Sequence, residues 1–362
     1  MQEIYKIDKS YEWNYEHGPT FEGEISARPE IQKKTKLWDF ELNSPIGIPA
    51  GPLLNSRWIE LYGKLGFDIP VYKTVRTVEW KSHPEPNCVY VDMQSQLTEK
   101  DVGGEAKVLL HAPKKPEDIT ITNSFGVPSQ APTVWMPDIG KANNALSDGQ
   151  VMIVSIMGTP DVGRELPDDY GRCAKMAVEA GAKIIEANYS CPNVCTGEGM
   201  LFRDAETSSQ ISKKIREAIG PSVPFLIKMG LLPPDKLEEV VRTNLPYVDG
   251  FAGINTVAMN VRKPDGSPAL PPGKERLRTG LCGHAIHSAG SHFTQNLFHI
   301  KKKLGADFVI CGVGGMMTAE DLHGRLQNGA DIVMSATVAM WDPFLAQKFH
   351  ELINPSSYTR MQ

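Results

Sequence analysis

The chain has 362 residues, 41% hydrophobic and 22% charged, a balance that allows a sizeable core. Its formal net charge of −5 offers no basic footprint for nucleic acid or an acidic membrane surface. No run approaches about 18 consecutive apolar residues and the polar start MQEIYKIDKSYEWNYEHG is unlike a signal peptide, so a cytoplasmic protein without membrane partners is expected.

Residues 1–40 are mixed and polar, an N-terminal extension to which no function is assigned, and residues 41–362 are expected to form a single domain. Short apolar, β-like runs then recur in chain order: IGIPAG (46–51), IPVYKTV (69–75), VMIVSIMG (151–158), KIIEANYS (183–190), PFLIKMG (224–230), GFAGINTV (250–257), DFVICGVGG (307–315) and DIVMSATV (331–338). Helical spacing of apolar residues appears between them at 57–66, 170–181, 209–220, 235–245, 294–305 and 319–329, several of these closing on a glycine suited to a left-handed cap. Eight strands alternating with helices predict an α/β chain folded as a (β/α)8 TIM barrel. An open doubly wound sheet is the alternative, weakened because no G-x-G-x-x-G turn follows the first strand.

Two insertions interrupt the rhythm, after strands 2 and 6. Residues 77–148 are too long for one β–α connection and hold a further strand at ITITNSFG (119–126). Residues 258–290 are rich in Pro, Gly and basic side chains, and excursions of this length often form lids or binding loops. The six cysteines, at 88, 173, 191, 195, 282 and 311, include no C-x-x-C pair, so neither a zinc nor an iron–sulfur site is expected. Cys173, within a helical pattern, is expected to be a core residue.

In such a barrel, chemistry belongs at the carboxyl ends of the strands. Those ends carry Ala50-Gly51-Pro52, Lys73-Thr74, Asn188 with Ser190, Cys191 and Asn193, Lys228, Asn255-Thr256, Gly312 with Gly314 and Gly315, and Ser335 with Thr337. Glycine-rich turns are common, so GVGG alone is a weak phosphate signal; its place after the seventh strand, with a helix opening near Thr318, strengthens it. A strand-end lysine is ordinarily a salt-bridged terminus. Lys73 and Lys228 facing a phosphate cradle fit better against the electron-rich ring of a flavin. One strand-end asparagine is ordinarily a turn residue. Asn123, Asn188, Asn193 and Asn255 at one mouth would match the alternating N–H and C=O edge of a pyrimidine.

From about residue 44 onward, these motifs resemble the dihydroorotate dehydrogenase family of the cysteine-base (class 1, cytosolic) type. The resemblance implies that NSFGVP (123–128) is the substrate loop, with Asn123 on the ring and the backbone amides of Phe125, Gly126 and Val127 on a carboxylate. It implies that Cys191, in N-x-S-C-P-N, is the base, and that Lys73 lies beside the flavin. Asn188, Asn193, Asn255 and Thr256 would bind substrate, while Ala50, Gly51, Lys73, Thr74, Lys228, Gly283, Gly314, Gly315, Ala336 and Thr337 would hold FMN. The implied reaction is oxidation of dihydroorotate to orotate in pyrimidine biosynthesis. Cys191 would take the C5 proton, and a hydride would pass from C6 to flavin N5.

The chain departs from that pattern at Tyr189, where an aliphatic residue is usual, at Ala336, where a glycine is common, and at the additional thiol Cys195. Residues 93–118 resemble an insertion, and 255–286 are more similar to the pyrimidine domain of dihydropyrimidine dehydrogenase. A uracil- or thymine-type dihydropyrimidine oxidoreductase is therefore the alternative, and a flavin- or pyrimidine-binding protein without turnover is a third reading. The electron acceptor is left open between fumarate, a reductase subunit and another soluble acceptor. Relatives imply a homodimer.

Overall fold

Eight parallel strands close into a barrel in a computed structural model, which describes residues 1–25, 31, 33–190, 201–270 and 278–354. The strands are β1 (Ile46–Ile48), β2 (Ile69–Val75), β3 (Ile153–Ile156), β4 (Ile184–Asn188), β5 (Phe225–Lys228), β6 (Gly250–Gly253), β7 (Val309–Val313) and β8 (Ile332–Met334), with β8 pairing back onto β1. Each is followed by a helix: α1 (Ser56–Lys64), α2 (Pro132–Asn144), α3 (Leu166–Glu179), α4 (Ala205–Ile219), α5 (Pro234–Asn244), α6 (His287–Leu304), α7 (Ala319–Gln327) and α8 (Leu345–Ile353). The arrangement is the expected (β/α)8 barrel.

The strands are buried on both faces, which is why their sequences are nearly continuous apolar runs. One face of Ile69, Val71, Ile153, Ile184, Leu226, Ala252, Cys311 and Ile332 packs inside the barrel. The hairpin Thr35–Leu37 with Phe40–Leu42 inserts Leu37 and Leu42 into that same inner cluster, stoppering the amino-terminal end of the barrel. With the amino-terminal end filled, the polar strand ends lie at the carboxyl end of the barrel.

Helix starts are set locally. Asn55 accepts a hydrogen bond from the Arg57 amide to open α1, and Thr318 and Asp321 cap α7 reciprocally. The helix at 294–305 begins earlier than expected, at His287, because Gly290 lets it approach the β7 turn; a Cβ there would lie 2.6 Å from the Gly314 carbonyl. Helices α2 and α8 are absent from the expected set. Pro132 and Pro137 mask the periodicity of α2, although Trp135, Ile139 and Ala142 form its buried stripe.

The two insertions build one structure. Strands Val91–Asp92, Glu105–Val108, Val257–Arg262, Thr279–Gly283 and Thr120–Asn123 form a five-stranded sheet in that order. Its ladder pairs Asn123 with Gly280 and Thr122 with Leu281, so the strand expected at 119–126 is bound to the second insertion. The amino-terminal segment holds a helix (Tyr11–His17) capped by Ser10, and its Tyr5 and Tyr11 rings lie against Phe125. Among the described residues, no helix is long and apolar enough to cross a membrane.

Candidate functional site

The strand ends and the five-stranded sheet enclose two adjoining cavities of about 800 and 500 Å³, sharing Gly51, Asn123, Lys228, Asn255 and Thr256. Ala50, Lys73, Thr74, Phe125, Gly126, Val127 and Asn188 line the larger; Gly283, Gly314, Gly315, Ala336 and Thr337 line the smaller. Every expected site residue that is described therefore faces one continuous cleft. Cys191 and Asn193 lie outside the described residues, as do Pro192 and Cys195.

In the larger cavity, Asn188 ends β4 opposite Lys228 on β5. The Asn188 side-chain oxygen accepts from the Ser190 amide at 3.1 Å and from the Ser190 hydroxyl at 2.8 Å, and Asn255 donates to that hydroxyl. This chain of bonds ties the ends of β4 and β6 and leads directly into the 191–200 segment. Tyr189 points the other way: its hydroxyl meets Ser212 at 2.9 Å and its ring packs edge-on to Tyr170. The departure at 189 thus belongs to the helix layer, not to the cleft.

The loop after Asn123 is held open by unusual backbone. Gly126 has φ of 76° and Val127 of 52°, a conformation that a β-branched side chain resists. Buried Arg76 holds it, donating Nε to the Val127 carbonyl at 3.0 Å and Nη1 to the Gly158 carbonyl at 3.1 Å. From behind, the rings of Tyr5 and Tyr11 meet Phe125 at 6.0 and 6.5 Å, giving the amino-terminal extension a place in the site's support. His83 closes the loop's outer side, its amide donating to the Phe125 carbonyl at 3.0 Å.

The smaller cavity is a backbone cradle. Gly283, Gly314 and Gly315 have φ of 94°, 103° and 72°, and a Cβ on Gly315 would lie 2.3 Å from the His287 nitrogen. Behind them, buried Arg325 donates to the carbonyls of Gly314 and His287 at 3.2 and 3.1 Å. Burial pulls its guanidinium down to about 10. With those carbonyls tied back, the backbone of Gly314 and Gly315 lines the cavity, while the Met317 and Thr318 amides at the start of α7 already donate to the Asp321 carboxylate. Cys282 also lines this cavity, and burial raises its thiol to about 11, which keeps it protonated at neutral pH.

Sequence reasoning missed Arg76, His83, Glu186, Arg278, Gly280 and Arg325. Glu186 was within reach, since strand alternation puts it on the same face as Asn188. Gly280 packs so closely on Thr256 that a Cβ would lie 2.1 Å from its hydroxyl, and Arg278 reaches the rim of the larger cavity from the same strand region. Those two depend on pairing between distant insertions. Among the described residues, no cluster of His, Cys, Asp and Glu could hold a metal ion.

A family model described as dihydroorotate dehydrogenase matches residues 108–355. The chain is 40% identical over 360 residues to the dihydroorotate dehydrogenase of Dictyostelium discoideum, spanning 96% of each. It is 31% identical over 198 residues to the NAD-dependent dihydropyrimidine dehydrogenase subunit PreA of Escherichia coli (strain K12), covering 53% of this chain and 45% of that one. Similarity to the catalytic subunit of dihydroorotate dehydrogenase B (NAD(+)) of Listeria monocytogenes serovar 1/2a is 28% over 183 residues, 50% of this chain and 57% of that one. The crystal structure of DHODH from Eimeria tenella in complex with ferulenol superposes with a TM-score of 0.69 at 18% identity, over 92% of this chain and 86% of that one. At that identity, the likeness speaks for the fold alone.

Proposed function

Because the chain belongs to the dihydroorotate dehydrogenase family, we propose that it oxidises dihydroorotate to orotate with FMN bound in the cleft. The observation that carries this reading is the pairing of a glycine anion cradle with a buried ammonium. Lys228 is 7% exposed and lines both cavities, and its ammonium makes no hydrogen bond or ion pair with the described residues. Burying an ammonium without a partner is costly, so a ligand of electron-rich or anionic character belongs beside it.

The cradle of Gly283, Gly314 and Gly315, with Ala336 and Thr337, suits the phosphate of FMN, and Lys228, Lys73, Thr74, Ala50 and Gly51 suit its ring. FMN supplies a two-electron acceptor for the hydride released from C6. Asn123, Asn188, Asn193, Asn255 and Thr256 orient the pyrimidine edge, each carboxamide offering both a donor and an acceptor. Backbone amides of 125–127 receive the substrate carboxylate, which favours dihydroorotate over a neutral dihydropyrimidine. Cys191 takes the proton from C5, a role that suits a thiol because its ordinary value lies near 8.5, within reach of neutrality. Cytoplasmic residence belongs to the same proposal and is tested by cell fractionation.

The test is an anaerobic visible spectrum of the purified chain before and after dihydroorotate. A bound flavin that bleaches rapidly is expected. A flavin that dihydroorotate leaves unchanged and dihydrouracil bleaches would transfer the reading to the PreA-like chemistry, and a chain that takes up no flavin would end it.

A further inference from the structure

Directly below Asn188 on the inward face of β4 sits Glu186, 1% exposed, opposite Ser155 of β3 and Leu226 of β5. Neither of its carboxyl oxygens has a hydrogen-bond partner among the described residues. It nevertheless lines the larger cavity together with Lys73 and Lys228. Strand alternation places Lys228 one layer above Leu226, so the two charges project from neighbouring strands into the same enclosed mouth. No N–O contact within 4.0 Å joins them. An apolar side chain at 186 would pack the barrel without the desolvation cost that a carboxylate carries here. The position is therefore explained by its charge and not by its shape.

We infer that Glu186 is the electrostatic counterweight to Lys228 and Lys73, setting the net charge against which the ring of the cofactor is reduced. The inference rests on the FMN reading above. Cys311, on the inward face of β7, registers both charges: after burial, Glu186 is the largest influence pushing its thiol up, and Lys228 pulls it back. Glu186 and Lys228 thus line one buried cavity, where charges act over longer distances than in water. Reduction adds negative charge to the flavin, so the two lysines favour the reduced form and the Glu186 carboxylate opposes it. Its removal takes away the negative charge that opposes reduction beside Lys228.

The test is the midpoint potential of FMN bound to the full chain, measured anaerobically for the parent, Glu186→Gln, Glu186→Asp and Lys228→Met. Glu186→Gln is expected to favour reduced over oxidised FMN by about tenfold, a potential about 30 mV more positive for a two-electron couple. Glu186→Asp, which keeps the charge, is expected to stay with the parent, and Lys228→Met to move the opposite way from Glu186→Gln. A Glu186→Gln potential that is unchanged or more negative would overturn the inference. So would a Glu186→Asp value that follows Glu186→Gln, or a Glu186→Gln chain that no longer takes up FMN, since glutamine keeps the shape. A parent chain without flavin would instead sink the cofactor reading, and that outcome is seen before any variant is made.

Discussion

Val127 shows how a single backbone angle can be the object of several contacts. Its φ of 52° is costly for a β-branched residue, and the bond from Arg76 Nε to its carbonyl holds that geometry against relaxation. Arg76 is itself fixed, stacked 4.9 Å over Trp80 and accepting from Trp135 Nε1 through its carbonyl at 3.0 Å. Arg76→Ala is therefore expected to weaken orotate binding about tenfold or more while FMN is retained. Titration of the flavin spectrum with orotate measures it, and adding Val127→Gly should recover part of the loss by removing the strain. Cys191→Ala is expected to keep FMN and lose about a hundredfold or more in turnover, because proton transfer by a placed side chain contributes at that level. Near-parental steady-state rates would remove Cys191 as the base. The asparagines and lysines at the strand ends could be found from sequence because each breaks an apolar run at a fixed point. Arg76 and His83 could not, since an arginine or histidine in a long connection looks like any solvated residue until the connection folds.

The helix after the 191–200 segment illustrates local control. Asp204 opens α4 by accepting from the amides of Glu206 and Thr207, each at 3.1 Å, and from the Thr207 hydroxyl at 2.6 Å. These bonds favour the charged form and lower its pKa below the ordinary 3.8. A depressed folded value stabilises above the unfolded one and loses that contribution as pH falls through it. Asp204→Ala should therefore cost about 1 kcal/mol at neutral pH. Urea unfolding across pH should show the gap to the parent closing in acid, below the ordinary carboxylate value. Elements of this kind are legible because caps and apolar spacing are local. Helix α2 was hidden by its prolines. The five-stranded sheet was hidden for a different reason: Glu105–Val108 and Thr279–Gly283 are short, and each pairs on one side with a strand more than a hundred residues away.

Closure of the barrel turns these parts into a site. The hairpin carrying Leu37 and Leu42 fills one end with side chains from seven of the eight barrel strands, so the other end is where polar strand termini can meet. Leu37→Ala, which leaves a cavity in that plug, should cost about 2–5 kcal/mol of stability by thermal or urea unfolding. The flavin spectrum and its response to dihydroorotate should be unchanged, because the substitution lies at the opposite end from the cleft. The eightfold strand–helix alternation, the polar residues interrupting it and the family to which they point were all accessible from order along the chain, because hydrophobic period and motif spacing are local properties. That Tyr5 and Tyr11 pack against Phe125 in the loop after Asn123, that two separate insertions become one sheet, and that Glu186 and Lys228 line one cavity required the closed fold. Those relations depend on distances between segments far apart in the chain, which strand register and burial set and composition does not.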